Sequence, residues 1–481
     1  MEAAAWQNLY EARGRALELS NRYPEALANY QALAQRAETL GDRRLALAAA
    51  VAVGQLYATS TPLFDLPRGE QMAEAALAEA RALGDEPAEA KILWNLVNLY
   101  RHTERDAQAR GVGERSLEIA QRLNLTQQAA LTLNDLVHIY AALALWPEFA
   151  RASAEVQQRW RALGNVVLLA DSLSTAALYE ALIGEFAAAL SHTRESYQRS
   201  LAIANLWGQT YSLMQQIEPN WYTGHPDLAL ETARECIRVA PQGWPVGGFV
   251  ATAALAFILA ELGDTAAGLA LVQTMGESTA FMQNEALLTQ GARVLLEVRL
   301  GALAPARAHL ATMEQNAGVW RPLLWSLAPV LRARTAVALA AAAQDPAQAL
   351  AVTQAHVATL RERGVLTYLP EALIGLAQAL LLHGREAEAR EQLLAALAQA
   401  RAMGASMAEW QVLYALAGLQ RAHGDTARAQ PYWDQARAIV TVIAGRIPTP
   451  ALRQSFLARP ELRALLGDAV ILAPQGAQPL G

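Results

Sequence analysis

The chain has 481 residues, 53% hydrophobic and 17% charged, a balance that excludes a disordered or fibrous protein. Its 39 basic and 45 acidic residues leave a net charge of −6, which argues against the basic face that phosphate-backbone binding needs. A single cysteine, Cys236, excludes an internal disulfide and a cysteine-based zinc site.

Apolar residues recur three and four positions apart along the chain, as at Leu93, Leu96, Val97 and Tyr100, and no alternating strand pattern stands out. The predicted helices are punctuated at a fixed interval. A turn residue is followed five positions later by a small one: Asn21 with Ala26, Glu104 with Ala109, Leu145 with Ala150, Gly184 with Ala189, Gly224 with Ala229 and Gly263 with Gly268. The series continues with Gly301 and Ala306, Gln344 and Ala349, Gly384 and Ala389, and Gly424 and Ala429; a copy disguised by Pro62 and Pro67 turns near Asp65. The interval is about 40 residues. Between these turns lie further glycines, Gly41, Gly84, Gly164, Gly364 and Gly404, suited to closing a helix. Each period is thus a helix, a short turn and a second helix. One such pair cannot bury its own apolar face, so the prediction is an all-α superhelical solenoid of about eleven antiparallel pairs over residues 1–446, each touching its neighbours. The segment 447–467 is expected to form two capping helices that fold back on the last pair with Phe456 as anchor. Residues 468–481 are expected to be a flexible tail.

The stretch Gly184-Glu185-Phe186-Ala187-Ala188-Ala189 resembles the Gly-x-Tyr/Phe-x-x-Ala core of a tetratricopeptide repeat, as does Tyr23-Pro24-Glu25-Ala26. With a period longer than that family's standard unit, the chain resembles the C-terminal repeat region of large bacterial signalling ATPases, the MalT-like activators and cyclase-associated ATPases. The opening stretch 9–18 and the closing stretch 448–460 carry the same resemblance. It implies a protein-binding scaffold, the sensor or partner-docking arm of a bacterial signalling or transcription-regulatory system. A protein or peptide partner, including a signalling ATPase or cyclase, is implied. The alternative is a sensor of a small sugar- or peptide-like ligand belonging to a split or truncated ATPase. The phosphate-binding loop of those ATPases is absent, because the sole lysine, Lys91, follows no glycine-rich segment.

Two stretches interrupt the regular pattern. Residues 241–248 read Pro-Gln-Gly-Trp-Pro-Val-Gly-Gly, and 320–330 carry Pro322, Trp325 and Pro329. Both read as local changes of superhelical twist, the first also as a joint between sub-arrays. No hydrolase, zinc-protease or dinucleotide motif is present, so no enzyme, cofactor or metal is expected. The opening residues lack a signal-peptide pattern, and the longest uncharged apolar run, 249–260, is well short of the roughly 20 residues a membrane span takes. A cytoplasmic location without membrane contact is therefore expected.

The candidate binding stripe lies on the first helices of successive pairs. Lys91, Asn95 and Asn98 are followed by Asp135 and His138, then Asp171 and Thr175, then Tyr211, Gln215 and Glu218. Spacings of three and four place each set on one helical face. The inner face of a solenoid calls for polar residues whether or not it holds a ligand, so both readings stay open. Lys91 and Asn95 resemble the Lys-x-x-x-Asn part of a carboxylate clamp, but Leu131 and Asp135 stand where its next partners belong. Trp221 and Tyr222, with Trp207 and Trp244, add aromatic surface near the sixth pair, suited to a ligand or to filling a gap between short helices.

Overall fold

The computed structural model describes residues 3–467 apart from 21, 60, 102–104, 275–282 and 316–345. It divides into two compact units, residues 1–165 and 166–481. The expected break at 320–330, the first helix of the ninth pair and the tail 468–481 lie outside the described residues. The described residues are helical and contain no strand.

The first unit holds four pairs: α1 (Ala3–Leu19) with α2 (Tyr23–Leu40), α3 (Arg43–Ala58) with α4 (Leu66–Leu83), α5 (Glu86–Arg101) with α6 (Asp106–Arg122), and α7 (Thr126–Ala142) with α8 (Trp146–Ala162). The second begins with α9 (Val166–Leu182) and α10 (Phe186–Ala202), α11 (Leu206–Tyr222) and α12 (Pro226–Val239), α13 (Pro245–Glu261) and α14 (Thr265–Thr274), and α15 (Gln283–Arg299) and α16 (Leu303–Gln315). After α17 (Pro346–Arg363) come α18 (Leu369–Leu382) with α19 (Glu386–Met403) and α20 (Ser406–Ala422) with α21 (Thr426–Arg446). Two short helices, α22 (Pro450–Leu457) and α23 (Pro460–Leu466), follow.

Local chemistry sets the helix limits. Asp42 accepts from the backbone of Arg44 and Leu45, Asp65 from Arg68, and Thr449 from Leu452 with Pro450 in the first turn. The small residues after the turns, Ala26, Ala109, Ala189, Ala229, Ala389 and Ala429, are all buried where the second helix meets the first. This is the all-α helix-pair architecture that the 40-residue period implies.

A buried polar position repeats with the pairs. Ser116 Oγ donates to the Ala90 carbonyl at 2.7 Å, and Ser196 Oγ to the Ala170 carbonyl at 2.6 Å. Cys236 Sγ makes the same link to the Thr210 carbonyl at 3.5 Å. Each link spans 26 residues from the second helix of a pair back to the first. Ser196 Oγ also lies 2.8 Å from Ser174 Oγ and from Ser212 Oγ, so one side chain joins α9, α10 and α11.

In the second unit the stack does more than touch its neighbours in sequence. Helices α11 and α12 also pack against α20 and α21. A single core runs through Tyr211, Trp221, Leu255 and Leu262 and on through Leu373, Trp410, Val440 and Phe456. Leu366 and Thr367 donate backbone N–H groups to the Leu182 carbonyl at 2.9 and 3.2 Å. Arg446 Nη1 donates to the Gly224 carbonyl at 2.8 Å, and Arg459 Nη1 to the Glu261 carbonyl at 2.6 Å.

The turn glycines make this close return feasible. A Cβ on Gly263 would sit 2.4 Å from the Ser455 carbonyl oxygen, and one on Gly184 2.3 Å from Met403 Sδ. Both residues also have left-handed backbone, φ 88 and 83°. Helices α22 and α23 lie against α21, with Leu452, Phe456, Leu462 and Leu465 buried and Arg437 Nε donating to the Leu465 carbonyl at 3.1 Å.

Candidate functional site

In the first unit, the α5 and α7 residues of the stripe build a closed polar knot. The Asp135 carboxylate accepts from Trp94 Nε1 at 2.6 Å, Asn98 Nδ2 at 3.1 Å and Arg101 Nη1 at 3.2 Å. Trp94 and Arg101 had no place in the sequence-derived stripe; the signal was their position beside Asn95 and three residues after Asn98. Asn95 turns inward: it is 2% exposed and its Nδ2 donates to the Val51 carbonyl at 3.3 Å. It therefore does not present a clamp amide with Lys91, which is half-buried and has no ion-pair partner among the described residues. Burial and the neighbouring Arg101 hold the His138 imidazole well below its ordinary pKa, so it stays neutral beside the guanidinium.

The second unit places its stripe residues on α9 and α11. Asp171 is half-buried on α9. Thr175 Oγ1 lies 3.4 Å from the Tyr211 hydroxyl, tying α9 to α11. Tyr211 also meets Trp244 edge-on at 5.4 Å and Trp207 at 5.1 Å, and Trp207 remains 39% exposed. Four residues on, the Gln215 side chain is 8% exposed, and its Nε2 is shielded from solvent without a hydrogen-bond partner among the described residues.

Glu218 follows one turn later. Its carboxylate accepts from the Tyr368 hydroxyl at 3.0 and 3.2 Å, and burial pushes its pKa up to about 7. Tyr222 completes the face, stacked on Phe186 at 5.7 Å and edge-on to Tyr368 at 6.1 Å. Tyr368 arrives from 150 residues away, and no local sequence pattern marks it. Trp221 points elsewhere, buried edge-on against Phe257 in the core.

The structure thus joins Asn98 with Asp135 and Thr175 with Tyr211, sets Gln215 and Glu218 on one face of α11, and lays Tyr222 on Phe186. No group of three histidine, cysteine or carboxylate side chains suited to a metal occurs among the described residues. No described helix is long and apolar enough to cross a membrane.

No protein-family model matches the sequence, and no curated protein is similar to it in sequence. Similar solved structures include a Rap protein complexed with Competence and Sporulation Factor, at 11% identity and a TM-score of 0.49. That match covers 74% of this chain and 99% of the Rap chain. A chain of the APC/C hetero-tetramer Cut9–Hcn1 matches at 14% identity and a TM-score of 0.36, covering 96% of both chains. Yeast Tom70 matches at 12% identity and a TM-score of 0.34, covering 96% of this chain and 99% of that one.

Proposed function

We propose that the chain is a non-enzymatic binding scaffold whose second unit receives a protein or peptide segment along the α9 and α11 stripe. The observation that carries this reading is Gln215. A buried amide donor without an acceptor costs about 1–3 kcal/mol, and an incoming backbone carbonyl would remove that cost. The exposed Trp207 indole and the half-buried Glu218 and Tyr222 flank it, giving the mixture of aromatic area and placed polar groups that recognition surfaces use. In the first unit Asp135 already holds three donors, so the α5 and α7 stripe serves packing. The wider role that the sequence suggests is the docking or sensor arm of a bacterial signalling or transcription-regulatory system, with a signalling ATPase or cyclase among its partners.

Panning a displayed random dodecapeptide library against the full chain, with a Gln215→Leu chain as counter-screen, tests the reading. Peptides that bind the parent chain and lose affinity for a normally folded Gln215→Leu chain are expected. No enrichment, or equal enrichment by both chains, overturns it.

A second reading, a small sugar- or peptide-like ligand, is favoured by the Trp207, Tyr211 and Trp244 rings, which lie within 5.1–5.8 Å of one another. A ligand there would raise the melting temperature, by about 2.7 kcal/mol of added stability at a hundredfold excess over Kd. A metabolite panel read by thermal shift separates it from the peptide reading.

A further inference from the structure

The three first-of-pair helices α9, α11 and α13 share an unusual charge pattern. They contain four acids, Asp171, Glu180, Glu218 and Glu261, and no lysine, arginine or histidine. Three of these acids can be compared by their partners. Glu261 pairs with Arg299 and Arg459, the latter at 3.3 Å. Glu180 takes His192 Nδ1 at 2.9 Å. Glu218 has only the neutral Tyr368 hydroxyl, and no cation pairs with it among the described residues.

Glu218 does not stand alone as an acid on a surface. One turn before it on the same face is Gln215, more than nine-tenths buried, with its Nε2 unpartnered. Beyond both ends of that pair the face is aromatic, Tyr211 with Trp207 and Trp244 on one side, Tyr222 with Phe186 and Tyr368 on the other. Aromatic faces beside a desolvated carboxylate favour an organic cation over a hydrated metal ion. The two unmet demands on α11 are therefore an acceptor for Gln215 and a positive charge for Glu218. Residues three apart on a helix lie about 5–6 Å apart at Cβ, a gap that one residue bridges with its backbone carbonyl at one end and its own long side chain at the other.

Resting on the peptide reading above, we infer that this stripe selects a segment with a lysine or arginine side chain. A backbone carbonyl accepts from Gln215 Nε2, and the ammonium or guanidinium group pairs with Glu218. Burial holds the empty carboxyl near half-protonation at neutral pH, so an arriving cation displaces a proton where one is bound.

The dodecapeptide library supplies the test. Recovered sequences are expected to be enriched in lysine and arginine at one register position. A synthetic copy of the tightest peptide, with that residue replaced by norleucine, should bind at least tenfold more weakly. Glu218→Gln should erase the difference between the two peptides. Tyr368→Phe, which keeps the carboxylate, should preserve the difference and controls for damage to the fold. Recovered peptides without basic enrichment, or a preference that survives Glu218→Gln in a folded chain, overturn the inference and leave the peptide reading standing. Recovery of no peptide at all overturns both.

Discussion

The two units are built from the same helix pair and use it differently. In residues 1–165 the contacts run from each pair to the next, and a Cβ on Gly84 would meet nothing within 4 Å. In residues 166–481 the turns at Gly184, Gly224 and Gly263 are covered by α19, α20, α21 and α22. The second unit's turn glycines thus divide: Gly184, Gly224 and Gly263 are contact surfaces, whereas Gly301, Gly384, Gly404 and Gly424, like Gly84, meet nothing within 4 Å. The electrostatics diverge as well. The first unit holds a half-buried, neutral imidazole next to a guanidinium, the second a half-buried carboxyl bonded to a phenol. The lesson is that a period seen in sequence fixes the pair, while the second unit's core depends on contacts that no period announces.

The largest expected effect tests whether α22 closes the second unit. Phe456 is 0% exposed, and Phe456→Ala should destabilise the chain by about 3–5 kcal/mol in denaturant unfolding. A loss below about 1 kcal/mol would mean that the α22 contact is dispensable. Next, Gly263→Ala forces a side chain onto the Ser455 carbonyl as well as into left-handed backbone, and should cost about 3 kcal/mol. Gly84→Ala adds only the backbone strain, about 1 kcal/mol. Equal losses at the two positions would mean that the Ser455 contact adds nothing at Gly263.

The pH dependences should have opposite signs. The Glu218 pKa is higher folded than unfolded, so the folded state binds more protons between pH 4.5 and 7. Stability is then lost as pH rises through that window, by roughly 2–3 kcal/mol, and Glu218→Gln should flatten the loss in melting curves. A wild-type slope unchanged by the substitution would break the assignment. The His138 pKa is lower folded than unfolded, so stability is lost as pH falls below 6.5. Hydrogen exchange in α5 and α7 should quicken on acidification in the parent chain and less so in His138→Gln. A quickening of equal size in both would remove His138 from the account.

The helix pairs were legible because a small residue five positions after each turn is a short-range demand of packing, met at Ala189 and Ala389 alike. The return in the second unit was not. Thr367 Oγ1 donates to the Ala181 carbonyl across 186 residues, and neither residue type is unusual for its own helix. The candidate stripe was legible as a face and illegible in its pairings. Asp135 is spent on Trp94, Asn98 and Arg101, while Glu218 waits on Tyr368, a residue outside any repeat match. Asn95 and Gln215 occupy equivalent repeat positions, yet one donates inward to Val51 and the other keeps a donor unused.

The Ser196 link has a mechanical meaning. A helix slipping along its neighbour by one residue moves about 1.5 Å and turns about 100°, which would carry a side chain off all of its partners together. Ser196 grips a carbonyl on α9 and hydroxyls on both α9 and α11, so it acts as a pin through three shafts, stopping axial glide and rotation alike. At Cys236 the pin is a thiol with bonds of 3.5 and 3.6 Å, a softer detent.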